Sequence, residues 1–364
     1  MSLHLSSLLT ALQTSLFPFL EKTLGTLTDR EERFVRICEL TSLEKIMPYN
    51  GFLTGRPLAL RTNIARAFIA KAVYNFATTK ILREYLLRDA ILRQLCGWSE
   101  KREVPSESTF SRAFAEFALT QLPSLIHETI VKTHCGSKLA GHISRDATAI
   151  EAREKPIRKA KVTNAIVKKK KGRPNKNEEP RCKEPTKLEI QLNRSLQDNL
   201  SDIPVLCDWG TKRDSKGNSY SWVGYKLHID TIDGDIPITT LLSSASMHDS
   251  QAAIPLAQLS AQRVTNLYDL MDAAYDSSCI REMSKRLNHV PLIDFNKRTG
   301  EKREFAPAEK LRYNHRSSAE RSNSNLKDNY GGAMVRVKGA KKIMAHLMFG
   351  IVAMTAEAIY RLVS

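Results

Sequence analysis

The apolar residues of this 364-residue chain change their spacing once, and that change constrains its fold more than any other feature. Up to about residue 135 they recur every three or four positions: Ile64, Phe68, Ala72 and Phe76, then Ile81, Tyr85, Ile91 and Leu95. That spacing makes one face of an α-helix apolar, so the first part is expected to be helical. From about residue 203 the period falls to two. Residues 220–230 alternate and are rich in aromatic and β-branched side chains, Asp233, Gly234 and Asp235 form a turn, and 236–243 reads as the returning strand. Helices are expected at 250–259, 280–287, 319–329 and 344–362, with short strands at 267–272 and 290–295. Interleaved strands and helices argue for a mixed α/β unit. The chain therefore divides into an all-helical part, 1–135, and an α/β part, 136–364.

Charge narrows the partners. Lys and Arg number 56 against 39 Asp and Glu, a net charge of +17. Such a balance points to a polyanion, either nucleic acid or an acidic membrane surface. Residues 153–187 hold 14 Lys or Arg against 4 Asp or Glu and no aromatic residue, so a loosely held basic insert is expected at about 153–200. Within it, 168–174 (Lys-Lys-Lys-Lys-Gly-Arg-Pro) resembles an AT-hook, with Lys170 and Arg173 set to enter a narrow minor groove. A non-specific phosphate-binding linker fits the same residues, and either weakens steeply with salt. The basic run has no interleaved apolar face, which disfavours a membrane surface. The longest apolar run near the C-terminus, 347–356, is too short to cross a bilayer. The first twenty residues lack a basic leader and a cleavage site, and read as an amphipathic helix. Six scattered cysteines without a CxxC pair argue against a zinc ribbon and for a reducing, cytoplasmic setting. In the helical part, Ser106 or Ser108 is expected to cap a helix that presents Ser108, Thr109, Ser111 and Arg112, which suits DNA contacts as well as an ordinary surface.

Three carboxylates stand out by context. Asp146 and Asp272 are each expected at the end of a strand. Glu320 lies on a helix beside Tyr313, Arg316, Arg321, Asn323, Asn325 and Lys327. Acids converging from separate rigid elements bind hard divalent cations through oxygen. Two such ions activate a water or hydroxyl and stabilise the leaving oxygen in phosphoryl transfer. His228 and His248 are expected to hydrogen-bond rather than ligate, with His248 and Asp249 orienting the acids. Tyr275 is expected to pack beneath Asp272. Trp209 and Trp222 are expected on strand faces or in the core, and the cysteines as small buried hydrophobes.

These residues resemble the DDE transposases of bacterial insertion sequences. The family's second-acid motif appears as Asp272-Ala-Ala-Tyr275. Its third-acid signature, Tyr-x2-Arg-x3-Glu-x6-Lys, is matched by Tyr313, Arg316, Glu320 and Lys327 at every spacing. The resemblance covers most of the chain except the insert. It implies a ribonuclease H-like catalytic core behind a helical DNA-binding domain, with Asp146, Asp272 and Glu320 as catalytic acids holding two Mg²⁺, or Mn²⁺ in their place. Tyr313, Arg316 and Lys327 would contact DNA near the cut phosphate, while Arg112, Lys170 and Arg173 are DNA-binding candidates from their own local sequence. It further implies cleavage at terminal inverted repeats, joining of the freed 3′-hydroxyl to target DNA, a homodimer when assembled on DNA, and a nucleoid-associated place in the cytoplasm. A catalytically silent DNA-binding regulator and a two-metal nuclease that does not join are the rival readings. Only 48 residues separate Asp272 from Glu320, which leaves no room for the β-rich insertion of some relatives.

Overall fold

The computed structural model describes residues 25–47, 59–156, 184–213, 217–296 and 304–362. The N-terminal part is helical: α1 (Asp29–Thr41), α2 (Leu43–Ile46), α3 (Arg61–Val73), α4 (Thr79–Arg88), α5 (Ala90–Leu95), α6 (Glu107–Leu119) and α7 (Leu122–His134). Local capping sets several of the starts. Thr28 and Glu31 form a reciprocal capping box on α1, and the Thr78 side chain accepts from Ile81 N on α4. Of the two candidate serines before α6, Ser106 is the cap, its hydroxyl accepting from Thr109 N.

The α/β part is a six-stranded mixed sheet: β1 (Leu139–Glu151), β2 (Asp208–Arg213), β3 (Ser219–Ile232), β4 (Ile236–Ser244), β5 (Thr265–Met271) and β6 (Val290–Ile293). The path runs β2-β3-β1-β5-β6, and β4 pairs the same edge of β3 further along. β1, β3 and β4 are antiparallel, while β5 and β6 run parallel to β1. This is the ribonuclease H-like order that the resemblance implies. Helices α10 (Ser250–Ala261) and α11 (Ser278–Arg286) follow β4 and β5. The polypeptide then passes through α12 (Pro307–Tyr313), a 3₁₀ turn (Asn314–Arg316), α13 (Ser317–Asn329) and α14 (Ala340–Arg361).

Three expectations need correcting. Asp146 is not at the end of its strand: β1 continues five residues beyond it, because Ala147 to Glu151 still pair with β3. What ends near Asp146 is the pairing with β5, last seen at Ser144. Residues just short of 200 are not loose. They form α8 (Lys187–Leu192) and α9 (Leu196–Ser201), started by Thr186 and Ser195 caps. Gln191 Nε2 donates to Gln251 O and Asn199 Nδ2 to Gln258 Oε1, which ties the pair to α10. Residues 157–183, including Lys170 and Arg173, lie outside the described residues, as do residues 1–24. The closing helix is also longer than its apolar run. The 22 residues of α14 are long and apolar enough to cross a membrane, but the helix is mostly buried inside the protein. One hydrophobic core joins Phe68, Phe110, Phe114 and Phe117 of the helical part to Phe349 of α14 and to Leu227 and Ile229 of β3. Phe68 and Phe349 stack with ring centroids 5.5 Å apart.

Candidate active site

Strand register brings the first two acids level. In the parallel β1–β5 pair, Ser144 faces Leu270, so two residues further on Asp146 stands beside Asp272 on the same face. Asp272 has just left β5 and caps the 3₁₀ turn Ala273–Tyr275, its Oδ1 accepting from Ala274 N at 3.0 Å. Helix α13 covers this face. Its Asn323 donates Nδ2 to Asp146 Oδ2 at 2.9 Å.

Burial pushes the Asp146 carboxyl above the usual carboxylate range. The charge of Asp272 adds to that, while the Ala147 N–H, Lys212 and Asn323 pull the other way. Burial also raises Asp272, with Asp249 adding its charge and the Ala274 N–H, Arg316 and Lys212 opposing. Tyr275 is buried, as expected, in the apolar cluster of Met271 and Ile280. Its hydroxyl, pushed far up by burial, feels Asp249, Asp146 and Asp272.

Glu320 lies exposed on α13, and its carboxylate is held by Arg316 at 2.7 Å. The ligand atoms of the three acids are not gathered within 4.8 Å of one another. Arg316 links the group: burial works against its charge, but Tyr313, Glu320, Asp272 and Asp146 together hold it up. It lies over the Tyr313 ring, 5.8 Å from the centroid. Burial raises the Tyr313 hydroxyl to about 12. Lys327 is half-buried, and its ammonium is lowered by burial and by Lys212 while Glu151 and Asp146 favour it. Arg112 is exposed on α6, with Nη2 3.4 Å from Thr109 Oγ1.

The other candidates have partners of their own. His228 is buried with Nε2 2.8 Å from Ser243 Oγ, and His248 Nδ1 lies 2.8 Å from Ser250 Oγ. Asp249 accepts from Lys226 Nζ at 2.8 Å. Asp276, four residues after Asp272, is paired with Arg281 at 2.9 Å. Trp222 is buried, whereas Trp209 is 58 % exposed on the β2 edge. The described cysteines are free and at least half-buried. Sequence reasoning missed Lys212, an exposed β2 residue whose charge reaches Asp146, Asp272 and Lys327. Nothing in its local sequence marks it, because β2 comes beside β1 only through β3.

The carboxylates suit hard divalent cations. Asp146 and Asp272 are neighbouring oxygen donors, raised by burial and by negative neighbours, and Lys212 and Arg316 offset only part of that charge. Compared with known proteins, the chain matches the family described as transposase DDE domain over residues 141–355, more than half its length. It also matches the family described as transposase domain (DUF772) over residues 22–116. No curated protein and no solved structure matches.

Proposed function

Since this chain belongs to the DDE-domain transposases, we propose that it cuts phosphodiester bonds at the ends of a mobile element and joins the freed 3′-hydroxyl to target DNA. The observation that carries this reading is the side-by-side placement of Asp146 and Asp272 beneath the helix that bears Glu320. We assign Asp146, Asp272 and Glu320 as the catalytic acids and as the ligands of two Mg²⁺ ions. When bound, those ions supply a nucleophilic oxygen and neutralise the leaving one. Asn323 fixes the Asp146 carboxylate, and the Ala274 N–H fixes that of Asp272, so neither needs to reorganise on reaction. Arg316 keeps Glu320 on the same side of the sheet and presents positive charge to the scissile phosphate. Tyr313 stays protonated and can donate to a phosphate oxygen. Lys327 and Lys212 flank the DNA path.

The spacing of Tyr313, Arg316, Glu320 and Lys327 supports placement in the Tyr-Arg-Glu-Lys subgroup. We assign the helical part, 1–135, to binding terminal inverted repeats with Arg112 among its contacts, and 136–364 to catalysis. The active form is a homodimer assembled on DNA in the cytoplasm, at the nucleoid.

The test is cleavage and joining of a labelled terminal-repeat duplex with Mg²⁺. Asp272→Asn is expected to lower cleavage at least about 10³-fold while leaving duplex binding unchanged. Adding Glu320→Gln is expected to cost nothing further, because the acids act as one unit. Retained cleavage in Asp272→Asn removes the assignment. Cleavage without joined products by the unaltered protein favours the nuclease reading, and binding without cleavage favours the silent regulator.

A further inference from the structure

A second cluster of ligating side chains lies on the face that carries Asp146. His142 sits four residues before Asp146 on β1, Asp233 in the β3–β4 turn, and His315 in the 3₁₀ turn next to Arg316. Among the described residues this is the group of three His, Cys, Asp or Glu whose ligand atoms all lie within 4.8 Å of one another. We propose that His142, Asp233 and His315 bind a zinc-class divalent cation.

The spacing of the ligand atoms is close to what such an ion requires. Tetrahedral zinc at about 2.0 Å from nitrogen or oxygen sets its ligand atoms about 3.3 Å apart. His142 Nδ1 lies 2.9 Å from Asp233 Oδ1, and His315 Nδ1 lies 3.9 Å from the same oxygen, so the observed distances bracket that spacing. The two imidazoles stack nearly parallel, 4.5 Å between centroids and 6° between planes, so the exposed His315 ring must turn about its Cβ–Cγ bond for both Nδ1 lone pairs to meet on one ion. The carboxylate is itself oriented. Its Oδ2 accepts from the backbone N–H of His142 at 3.0 Å, which leaves Oδ1 to face the rings. Gly141 keeps the room for it, since a Cβ there would come within 2.8 Å of Oδ2.

The donor set distinguishes this site from the carboxylates further along β1. Two imidazoles and one carboxylate select zinc, cobalt or nickel over magnesium. Asp233 and His315 are exposed, so water takes the fourth position. The cation would join β1, the β3–β4 turn and the 3₁₀ turn, which Ser144 Oγ already fastens by donating to His315 O at 3.0 Å. It would thereby steady the turn that carries Arg316. The site is a separate one, and its fate does not depend on the catalytic assignment.

The test uses the full-length, metal-depleted protein carrying Asp272→Asn and Glu320→Gln, so that those acids do not compete. Co²⁺ is titrated with visible absorption and thermal unfolding as readouts, and Zn²⁺ is then added to displace it. One equivalent of Co²⁺ is expected, with the absorption of a nitrogen–oxygen tetrahedral site and no thiolate charge-transfer band, and with a rise in Tm. His315→Ala, at an exposed position, is expected to keep the fold by circular dichroism and to weaken Co²⁺ binding at least about tenfold. His142→Ala and Asp233→Asn are expected to do the same. No Co²⁺ uptake, a thiolate band, or unchanged affinity in His315→Ala each overturns the proposal.

Discussion

At the scale of single residues, the polar groups buried in the sheet explain both what is legible in the sequence and what is not. Asp272 and the group of Tyr313, Arg316, Glu320 and Lys327 are readable because short-range spacing carries them. Asp146 reads less sharply, since Arg145 and Asp230 interrupt the alternation of their strands. These two are almost fully buried and form a bidentate pair at 2.8 and 2.7 Å, to which Ser260 adds a hydrogen bond. Lys212, His142 and His315 carry no local signal, because their meaning comes from residues far away in the chain. Buried histidines give the protein a pH dependence. Burial, helped by Arg263, lowers His127 to about 3. Burial lowers His228 to about 4, and burial with the Lys71 charge lowers His346 to about 4. Each takes up a proton in the unfolded chain near pH 6.5 but not in the folded one. Their stabilisation is present above about pH 6.5 and is lost as pH falls from there towards 4. At pH 5 each costs about 2 kcal/mol relative to neutral pH. Tm is therefore expected to drop between pH 7 and 5, and His346→Gln is expected to flatten that slope. An unchanged slope in the variant would remove His346 from the explanation.

At the scale of elements, type is easier to read than extent. The helix expected at 344–362 spans Ala340–Arg361, and the strand expected at 267–272 spans Thr265–Met271. Periodicity reports a face, whereas an element's end depends on capping and on how far its neighbour runs. The two helices before residue 202 are hidden by the basic composition around them, although Thr186 with Glu189 and Ser195 with Asp198 are local start signals. Helix α14 passes so close to the C-terminal end of α13 that one of its residues must lack a side chain. A Cβ on Gly350 would come within 2.6 Å of Tyr330 O and 3.1 Å of Leu326 Cδ1. Gly350→Ala is expected to force the two helices apart and cost about 1–3 kcal/mol. Equilibrium urea unfolding checks this, and a destabilisation below about 0.5 kcal/mol would mean that the two helices relax freely around the added methyl.

At the scale of the whole molecule, the hydrophobic core does not respect the division into a helical part and an α/β part. Leu347, Phe349 and Ile351 of α14 are buried in a cluster that includes Phe34, Ile64 and Phe117 as well as Ile229 and Leu242. Residues 136–364 alone would expose that helix to water. They are expected to be insoluble or to lack a cooperative thermal transition, while the full chain melts in one step. A soluble, cooperatively melting fragment would show that the two parts are separable. The basic insert makes a different prediction. Deleting 160–180 removes seven Lys or Arg residues. DNA binding should weaken, and the slope of log affinity against log salt should become shallower by about 0.9 for each phosphate that the insert no longer neutralises. An unchanged slope would take the insert out of the DNA-binding surface.

By itself, the amino-acid sequence determined the helical beginning, the mixed α/β core, the affinity for a polyanion and the identity of a spaced acidic motif. All four are written in periodicity, composition or short offsets, which act within a few turns of chain. Only the tertiary structure decided which side chains stand together. The parallel register of β1 and β5 sets Asp146 beside Asp272, Asn323 arrives from α13, and Lys212 comes through two further strands. The same folding sets His142, Asp233 and His315 around one point. Sheet pairing and helix docking minimise free energy over residues separated by a hundred positions or more, and no local pattern records which of those pairings wins.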